Sequence, residues 1–281
     1  MRWLVVGSDG MLGQDLVTLL RTGGHDVVPV DRGELDITDP DAVDAGVVGS
    51  DVVVNCAAWT AVDAAEGQEG AAFEVNAVGA AHLARAASRH GAKLVQISTD
   101  YVFDGAAVAP YAEDAPARPR SAYGRTKAAG EWAVRAETSD YLIVRTAWLY
   151  GAGGPCFPKT IARVAKERGG LDVVADQVGQ PTWTVDLADL VVRLVAQRAP
   201  SGTYHGTSSG LASWHTFAQA VVASAGLDPA LVLQTTSDAY VRPAARPAYS
   251  VLGHERLLAV GVDPIGDWAE RWEAAAHAVI G

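Results

Sequence analysis

A glycine-rich string placed directly after a short apolar run constrains the fold of this sequence more than any other feature. Residues 3–6 read WLVV, and the string GSDGMLG at 7–13 follows at once. A helical pattern of apolar residues then continues to Gly23 and Gly24. A strand that turns through glycines into a helix presents backbone N–H groups to a pyrophosphate, and glycines allow its close approach. The string therefore predicts a dinucleotide site formed by Gly7, Gly10, Met11, Leu12 and Gly13.

The pattern of strand and helix repeats along the first half of the chain. Apolar runs at 26–30, 51–55, 93–98 and 141–150 predict buried strands, and helical stretches at 66–90 and after Ser121 lie between them. Strands that alternate with helices predict an α/β fold, a doubly wound parallel Rossmann-type sheet over residues 1–150. The pattern changes after Gly151, so we expect a smaller C-terminal substrate-binding lobe at 151–281. A strand at 171–175 and a helix at 186–196, within 171–197, are expected to rejoin the sheet.

Composition excludes several classes of function. The chain has 281 residues, of which 49% are hydrophobic, and its formal charge of −11 repels polyanions, so we expect no nucleic-acid partner. No apolar segment is long enough for a membrane span and no signal peptide precedes the glycines, which predicts a cytoplasmic protein. The two cysteines, Cys56 and Cys156, lack the spacing of a disulfide framework or a metal site. We therefore expect free thiols and no metal.

The residues after the next two strands predict the rest of the cofactor site. Asp31 lies 18 residues after Gly13, near the spacing at which a carboxylate binds ribose hydroxyls and favours NADH. The adjacent Arg32 can pair with a 2′-phosphate, so the choice between NADH and NADPH stays open. Further contacts are expected from Asp36 and Ile37 around the adenine and from Ala57, Ala58 and Thr60 at the end of the third strand.

A tyrosine and a lysine one helical turn apart suggest proton chemistry beside that cofactor. Tyr123 and Lys127 project from one helix face, so the ammonium can lower the pKa of the phenol. Thr99 follows an earlier strand and supplies a hydroxyl. These three residues are the predicted catalytic set for reducing a carbonyl, with Tyr123 as the general acid.

Other residues are candidates for binding the substrate. Asp100 can accept a hydroxyl hydrogen bond, while Trp148 and Val62 can pack against an apolar face of a substrate. Arg246, with Arg242 nearby, is the candidate for pairing an anionic group of the substrate. His205 and His215 have no metal spacing and are expected to be structural.

Several longer strings carry a family resemblance across almost the whole chain. They are GSDGMLG (7–13), NCAAWTAVDAAE (55–66), STDYVFDG (98–105), YGRTK (123–127), RTAWLYG (145–151), DQVGQPT (176–182) and ARPAYS (245–250). Together they resemble the dTDP-4-dehydrorhamnose reductase family of extended short-chain dehydrogenases. The resemblance implies NAD(P)H-dependent reduction of the 4-keto group of dTDP-4-dehydro-L-rhamnose to dTDP-L-rhamnose. It also implies that Lys127 donates to the nicotinamide ribose.

The sequence leaves several alternatives open. VLGHERL follows ARPAYS where the family more often has an Asn-Ser pair and a following Asp, so the sugar could be another dTDP-deoxysugar of an antibiotic pathway. A noncatalytic NADP-binding regulatory subunit could keep the same motifs, and so could an epimerase or dehydratase that recycles its nicotinamide. A homodimer is one assembly that the sequence allows.

Overall fold

The computed structural model describes all 281 residues, which form fourteen strands and eleven α-helices. The strands are β1 (Arg2–Val6), β2 (Asp26–Val30), β3 (Val52–Asn55), β4 (Lys93–Thr99), β5 (Tyr141–Thr146), β6 (Leu149–Tyr150), β7 (Leu171–Val174), β8 (Val178–Gly179), β9 (Thr182–Trp183), β10 (Gly202–His205), β11 (Ser208–Ser209), β12 (Ala212–Ser213), β13 (Val232–Thr235) and β14 (Ile265–Asp267). The helices are α1 (Met11–Thr22), α2 (Pro40–Val47), α3 (Val62–Gly67), α4 (Glu69–Phe73), α5 (Gly79–His90), α6 (Ala122–Glu137), α7 (Phe157–Arg168), α8 (Thr184–Ala196), α9 (Trp214–Ser224), α10 (Glu255–Ala259) and α11 (Trp268–Ile280).

Six strands form a parallel sheet in the order β10-β5-β4-β3-β1-β2. The chain runs outward from β1 to β2, then crosses back to β3 on the other side of β1. The strand order therefore reverses between β1 and β3, and in open α/β sheets ligands bind in the crevice at the carboxyl ends of such a pair. The predicted α/β fold with a Rossmann-type parallel sheet is confirmed.

Both faces of this sheet are buried, and the pleat divides its side chains between two cores. Trp3 and Val5 of β1 face a core shared with α1 and α8, while Leu4 and Val6 face a second core shared with α2 and α5. This division follows from the period of two along a strand. Continuous apolar runs such as WLVV are the pattern expected for strands covered on both sides.

A third core builds the second lobe. Helices α7, α9 and α11 pack around Tyr150, Phe217 and Trp272. The strand predicted at 171–175 is observed as β7, but it pairs with β13 of this lobe, so the expectation that it rejoins the main sheet is wrong. The sixth sheet position is filled by β10, which the sequence reading missed. The helix near it behaves as expected, because α8 packs beside α1 on the sheet.

Two predicted elements are broken by residues near the site. The helix expected at 66–90 is divided into α3, α4, a π-helical turn (Glu74–Val78) and α5. Asn76 in that turn is buried and bonds both the backbone of Trp59 and the hydroxyl of Thr126. The strand expected at 141–150 is interrupted at Trp148, whose φ of 48° is left-handed. No helix is long and apolar enough to cross a membrane.

Candidate active site

The glycine string forms a tight turn between β1 and α1 that only glycine can make. Gly7 has a φ of 78°, and a Cβ there would lie 2.6 Å from the backbone nitrogen of Ala57, at the end of β3. A Cβ on Gly13 would collide with the backbone of Gly7 and Ser8. Gly10 caps α1 without a side chain, and the first turn contains no acidic residue. Its backbone N–H groups therefore fit an anionic pyrophosphate.

Asp31 lies beside this turn, as the sequence spacing predicts. One carboxylate oxygen accepts the N–H of Asp9 at 3.1 Å, which brings the end of β2 onto the glycine turn. The side chain of Arg32 is 82% exposed and lies 3.4 Å from a carboxylate oxygen of Asp36. A carboxylate and an exposed guanidinium therefore lie next to each other at the end of β2.

The other predicted cofactor residues differ in their exposure and in the groups that they contact. Leu12 and Ile37 are core residues with 6% and 5% exposure. Leu12 can therefore contact a cofactor through its backbone, and Ile37 offers it only a small apolar surface. The hydrogen bonds that Thr38 donates lower the pKa of Asp36, which stays ionised as the first residue of a local turn. Met11 packs against Gly154 on the second lobe.

The turn after β3 is held from beneath by a buried amide. Asn55 accepts the N–H of Ala57 at 3.1 Å and donates to the side chain of Gln96 at 2.9 Å. Ala57 and Ala58 are partly exposed, and Thr60 is exposed. Small side chains above a fixed turn leave the crevice between β1 and β3 open.

The three predicted catalytic residues come together above β4. Ser121 caps α6 by accepting the N–H of Gly124 at 3.1 Å, so Tyr123 lies in the first turn and Lys127 one turn later. Thr99 is the last residue of β4, and its hydroxyl lies close enough to the phenol of Tyr123 to act on its pKa. The ring of Tyr123 packs edge-on against Tyr101 at 5.5 Å between ring centres.

Burial, rather than Lys127, dominates the pKa of Tyr123. Burial raises that pKa to about 12, the hydroxyl of Thr99 opposes the rise, and the charge of Asp100 adds to it. The pKa of Tyr123 is therefore raised and not lowered, and Lys127 is not among the groups that shift it. The ammonium is instead anchored on the carbonyl of Ile97 at 2.7 Å. A phenol with a raised pKa is protonated at neutral pH, as a proton donor must be.

Lys127 is itself buried, with 4% of its surface exposed. Burial lowers its pKa to about 8, while the carboxylate of Glu131, on the next turn of α6, supports the charged form. Glu131 is paired in turn with Arg145 at 2.8 Å, and both side chains are buried. The charge on Lys127 thus depends on a carboxylate that the sequence reading did not single out.

Asp100 is inaccessible, contrary to the expectation that it accepts a sugar hydroxyl. It begins a 3₁₀ turn that directs its side chain inward, and only 2% of it is exposed. The hydroxyl of Thr99 donates to it at 2.9 Å. Burial raises the pKa of Asp100 to about 6, and the hydrogen bond from Thr99 opposes that rise. Its contact is with Thr99.

A cavity of about 810 Å³ lies between the two lobes. Trp148 and Arg246 line it, as does Arg242, whereas Val62 does not, although its neighbour Asp63 does. Asp63 holds the guanidinium of Arg246 through two hydrogen bonds of 2.9 Å. Arg246 also donates to the carbonyl of Ala244, so three of its five N–H donors are used and two remain.

Residues that the sequence reading missed include Asp63, Tyr101 and Trp214. Asp63 and Arg246 are 183 residues apart, and no local pattern could join them. The two histidines expected to be structural are buried, each against a backbone carbonyl: His205 at that of Gly253 and His215 at that of Val232. Burial lowers the pKa of His205 to about 3, so it is neutral.

A Rossmann-type sheet, a glycine turn fitted to a dinucleotide and a threonine, tyrosine and lysine at its crevice define an oxidoreductase of the short-chain dehydrogenase kind. The family model described as RmlD substrate binding domain matches residues 1–280. The chain belongs to this family, the dTDP-4-dehydrorhamnose reductases, as its motifs predicted.

Three relatives illustrate the likeness. A dTDP-4-dehydrorhamnose reductase of Streptomyces griseus is 50% identical over 95% of this chain and 90% of that protein. A probable dTDP-4,6-dihydroxy-2-methyloxan-3-one 4-ketoreductase of Streptomyces antibioticus is 48% identical over 95% and 92%. The crystal structure of the dTDP-4-dehydrorhamnose reductase of Bacillus anthracis in complex with NADP is 38% identical, covers 98% of both chains and superposes with a TM-score of 0.94.

Proposed function

We propose that this enzyme reduces the 4-keto group of dTDP-4-dehydro-L-rhamnose to give dTDP-L-rhamnose. The observation that carries the proposal is the placement of a protonated Tyr123 beside Thr99 and Lys127, at the carboxyl end of β4 and next to the crevice between β1 and β3. The reaction needs a proton donor at that place. The relatives named for this reaction supply the substrate class.

The cofactor in this proposal is NADPH or NADH, and it supplies a hydride to the carbonyl carbon when bound. Gly7, Gly10 and Gly13 allow the tight turn that leads from β1 into α1, and the first turn of α1 offers N–H groups to the pyrophosphate of the cofactor. Asp31 would hold the ribose hydroxyls, and Arg32 would pair with a 2′-phosphate. Ala57 and Ala58 line the crevice without blocking it.

Tyr123 would donate its proton to the carbonyl oxygen as negative charge develops there. The single hydroxyl proton of Thr99 is used toward Asp100, and one of its lone pairs accepts the backbone N–H of Tyr101 at 3.2 Å. Its other lone pair can accept the Tyr123 O–H. That bond would orient the phenol before the reaction. The ammonium of Lys127 would offset the charge on the phenolate that proton transfer leaves behind.

The cavity between the lobes would hold the sugar nucleotide. The two unused N–H donors of Arg246 can bind a diphosphate oxygen, with Arg242 nearby on the same wall. Trp148 would pack on the apolar face and the methyl group of the 6-deoxy sugar. Val62 can approach the sugar only from the start of α3.

A 4-ketoreductase for another dTDP-deoxysugar is the second candidate. The relative from Streptomyces antibioticus, named as a 4-ketoreductase of another substrate, is almost as similar as the one from Streptomyces griseus. The string VLGHERL at 251–257, directly after Ser250, departs from the usual family pattern.

Cofactor oxidation tests the proposal. Purified protein is mixed with NADPH or NADH and with one of two substrates, dTDP-4-dehydro-L-rhamnose or the 4-keto form of another dTDP-deoxysugar. The nicotinamide absorbance is followed together with the product. The proposal expects one cofactor oxidised per sugar reduced, with dTDP-4-dehydro-L-rhamnose the better substrate. Turnover without net oxidation would indicate an epimerase or dehydratase, and binding without turnover would indicate a regulatory subunit.

A further inference from the structure

Two tryptophans lie face to face on the wall of the cavity between the lobes. The rings of Trp148 and Trp214 are 3.5 Å apart between centres and tilted by only 6°. Both indoles line the cavity. Aromatic pairs prefer offset or edge-to-face arrangements with centres 4.5–7 Å apart, so a full sandwich requires support from its surroundings.

The backbone of Trp148 shows that its position is imposed. Its φ of 48° lies in the left-handed region, which a bulky residue rarely adopts, and it interrupts what would otherwise be one continuous strand from β5 into β6. Conformations of this kind persist only where the surrounding structure fixes them, and they concentrate at functional sites.

The Trp148 ring is in contact with β8 at its edge and with the start of α9 at its face. Strand β8 pairs with β12 so that Gly179 lies opposite Ala212, two residues before Trp214. A Cβ on Gly179 would lie 2.5 Å from Cε2 of Trp148, so only glycine leaves room for the indole edge. Trp214 covers the ring face from the first residue of α9, and Phe157 backs Trp214 at 4.5 Å between ring centres.

From this geometry we infer that Trp214 is a positioning residue that determines sugar specificity by holding Trp148 against the substrate. The inference rests on the proposed function, because it needs a sugar nucleotide in the cavity. Trp214 acts through Trp148. Without the Trp214 ring, nothing covers the face of the Trp148 indole, and the strained backbone of Trp148 is free to move this indole away from the cavity wall. Binding of an apolar sugar face then weakens, while proton donation from Tyr123, which lies on α6 and packs against Tyr101 rather than against either indole, is unaffected.

Circular dichroism tests the contact without any reference to activity. Two stacked indoles couple their transitions, and the coupling gives an exciton couplet in the far ultraviolet when the transition directions of the two rings are rotated relative to one another. Among the eight tryptophans, Trp148 and Trp214 form the one indole pair in ring contact, so the couplet must disappear in both Trp148→Phe and Trp214→Phe. Trp132→Phe, which alters an exposed indole on α6, must keep it. A couplet that persists in Trp148→Phe or in Trp214→Phe overturns the inference. If the wild-type transitions are parallel and give no couplet, the unfolding free energies of the two Phe variants and of their double variant test the same contact: non-additive losses are expected, and additive losses overturn the inference.

Kinetics test whether Trp214 acts through Trp148. Trp214→Ala is expected to raise the KM for the 4-keto-6-deoxy sugar nucleotide by roughly three- to tenfold, with kcat nearly unchanged. Trp214→Phe should restore part of the loss. The double variant with Trp148→Ala should be no worse than Trp148→Ala alone, because both remove the same wall.

The opposing results are distinct. Additive losses in the double variant, or a wild-type KM in Trp214→Ala, contradict the positioning role. If Trp214→Ala does not fold, Trp214→Phe and the couplet carry the test. Wild-type protein that oxidises neither NADPH nor NADH contradicts the proposed function instead, and the couplet then decides the Trp148 to Trp214 contact by itself.

Discussion

At the scale of single residues, the site depends on the protonation state of each polar side chain and on which hydrogen bonds it donates. The hydroxyl of Thr99 donates a hydrogen bond to Asp100. Tyr123 stays protonated because burial raises its pKa to about 12, whereas burial lowers the pKa of Lys127 and so opposes its charge. Sequence spacing identified Thr99, Tyr123 and Lys127 as a set. It could not show the direction of the Tyr123 shift, because that direction depends on burial in the assembled fold.

The lowered pKa of Lys127 leads to a prediction about pH. Because burial lowers this pKa to about 8, the ammonium loses its proton as pH rises through that value, and the developing phenolate loses its compensating charge. We expect kcat to fall above about pH 8, well below the titration of Tyr123. A pH profile measures this. Lys127→Met should be slow at every pH and lack the fall, whereas a wild-type rate that is constant through pH 8 contradicts the assignment.

Two adjacent side chains at the end of β2 should divide the choice of cofactor. Asp31→Ala is expected to weaken NADH more than NADPH, because a carboxylate holds ribose hydroxyls and repels a 2′-phosphate. Arg32→Ala is the matched variant and should weaken NADPH more than NADH. Fluorescence titration with each cofactor gives the four ratios. Equal losses for both cofactors in both variants would show that these side chains do not contact the ribose.

At the scale of elements, helix caps and breaks in the helices and strands set the positions of the site residues. The sequence predicted α6 and its start at Ser121, and the glycine turn predicted α1, because both signals are local. The break at Trp148 and the π-helical turn at Asn76 were missed, since their causes lie in other elements: Gly179 and Trp214 in the first case, Trp59 and Thr126 in the second. Interruptions of this kind recur at functional sites.

The cap of α6 should matter for both stability and catalysis. Ser121→Ala removes the oxygen that accepts the N–H of Gly124, which should cost about 1 kcal/mol of unfolding free energy. Because Tyr123 lies in the same turn, kcat should also fall. Asp267→Ala, which removes an equivalent cap from α11, should cost a similar amount and leave kcat unchanged. Chemical denaturation and steady-state kinetics measure the two effects, and equal kcat values in both variants would contradict the link.

At the scale of the whole molecule, one ion pair joins the lobes at the cavity. Asp63 of α3 holds Arg246 of the C-terminal segment, and the pair lines the space where a sugar nucleotide would lie. The sequence predicted the parallel sheet and singled out Arg246 as a candidate for binding the substrate. The pairing of β7 with β13 and the bond to Asp63 depend on contacts between distant segments, which no local pattern encodes.

Arg246→Ala should therefore weaken binding of the sugar nucleotide specifically. Losing a charged donor to the diphosphate is expected to raise its KM by roughly tenfold or more, while cofactor affinity stays nearly constant. Arg163→Ala, on the exposed face of α7, is the matched control and should change neither. Steady-state kinetics with each substrate varied in turn measures both. A shared loss in cofactor and sugar affinity would indicate that the pair only holds the lobes together.

The central claim is that Tyr123 donates the proton to the reduced carbonyl. The most direct measurement is single-turnover oxidation of the bound cofactor by Tyr123→Phe with the 4-keto sugar nucleotide, compared with the wild-type protein and with Tyr141→Phe at the start of β5. We predict a rate lower by about 10²- to 10⁴-fold in Tyr123→Phe alone, with cofactor affinity nearly intact. A near-normal rate in that variant would contradict the account.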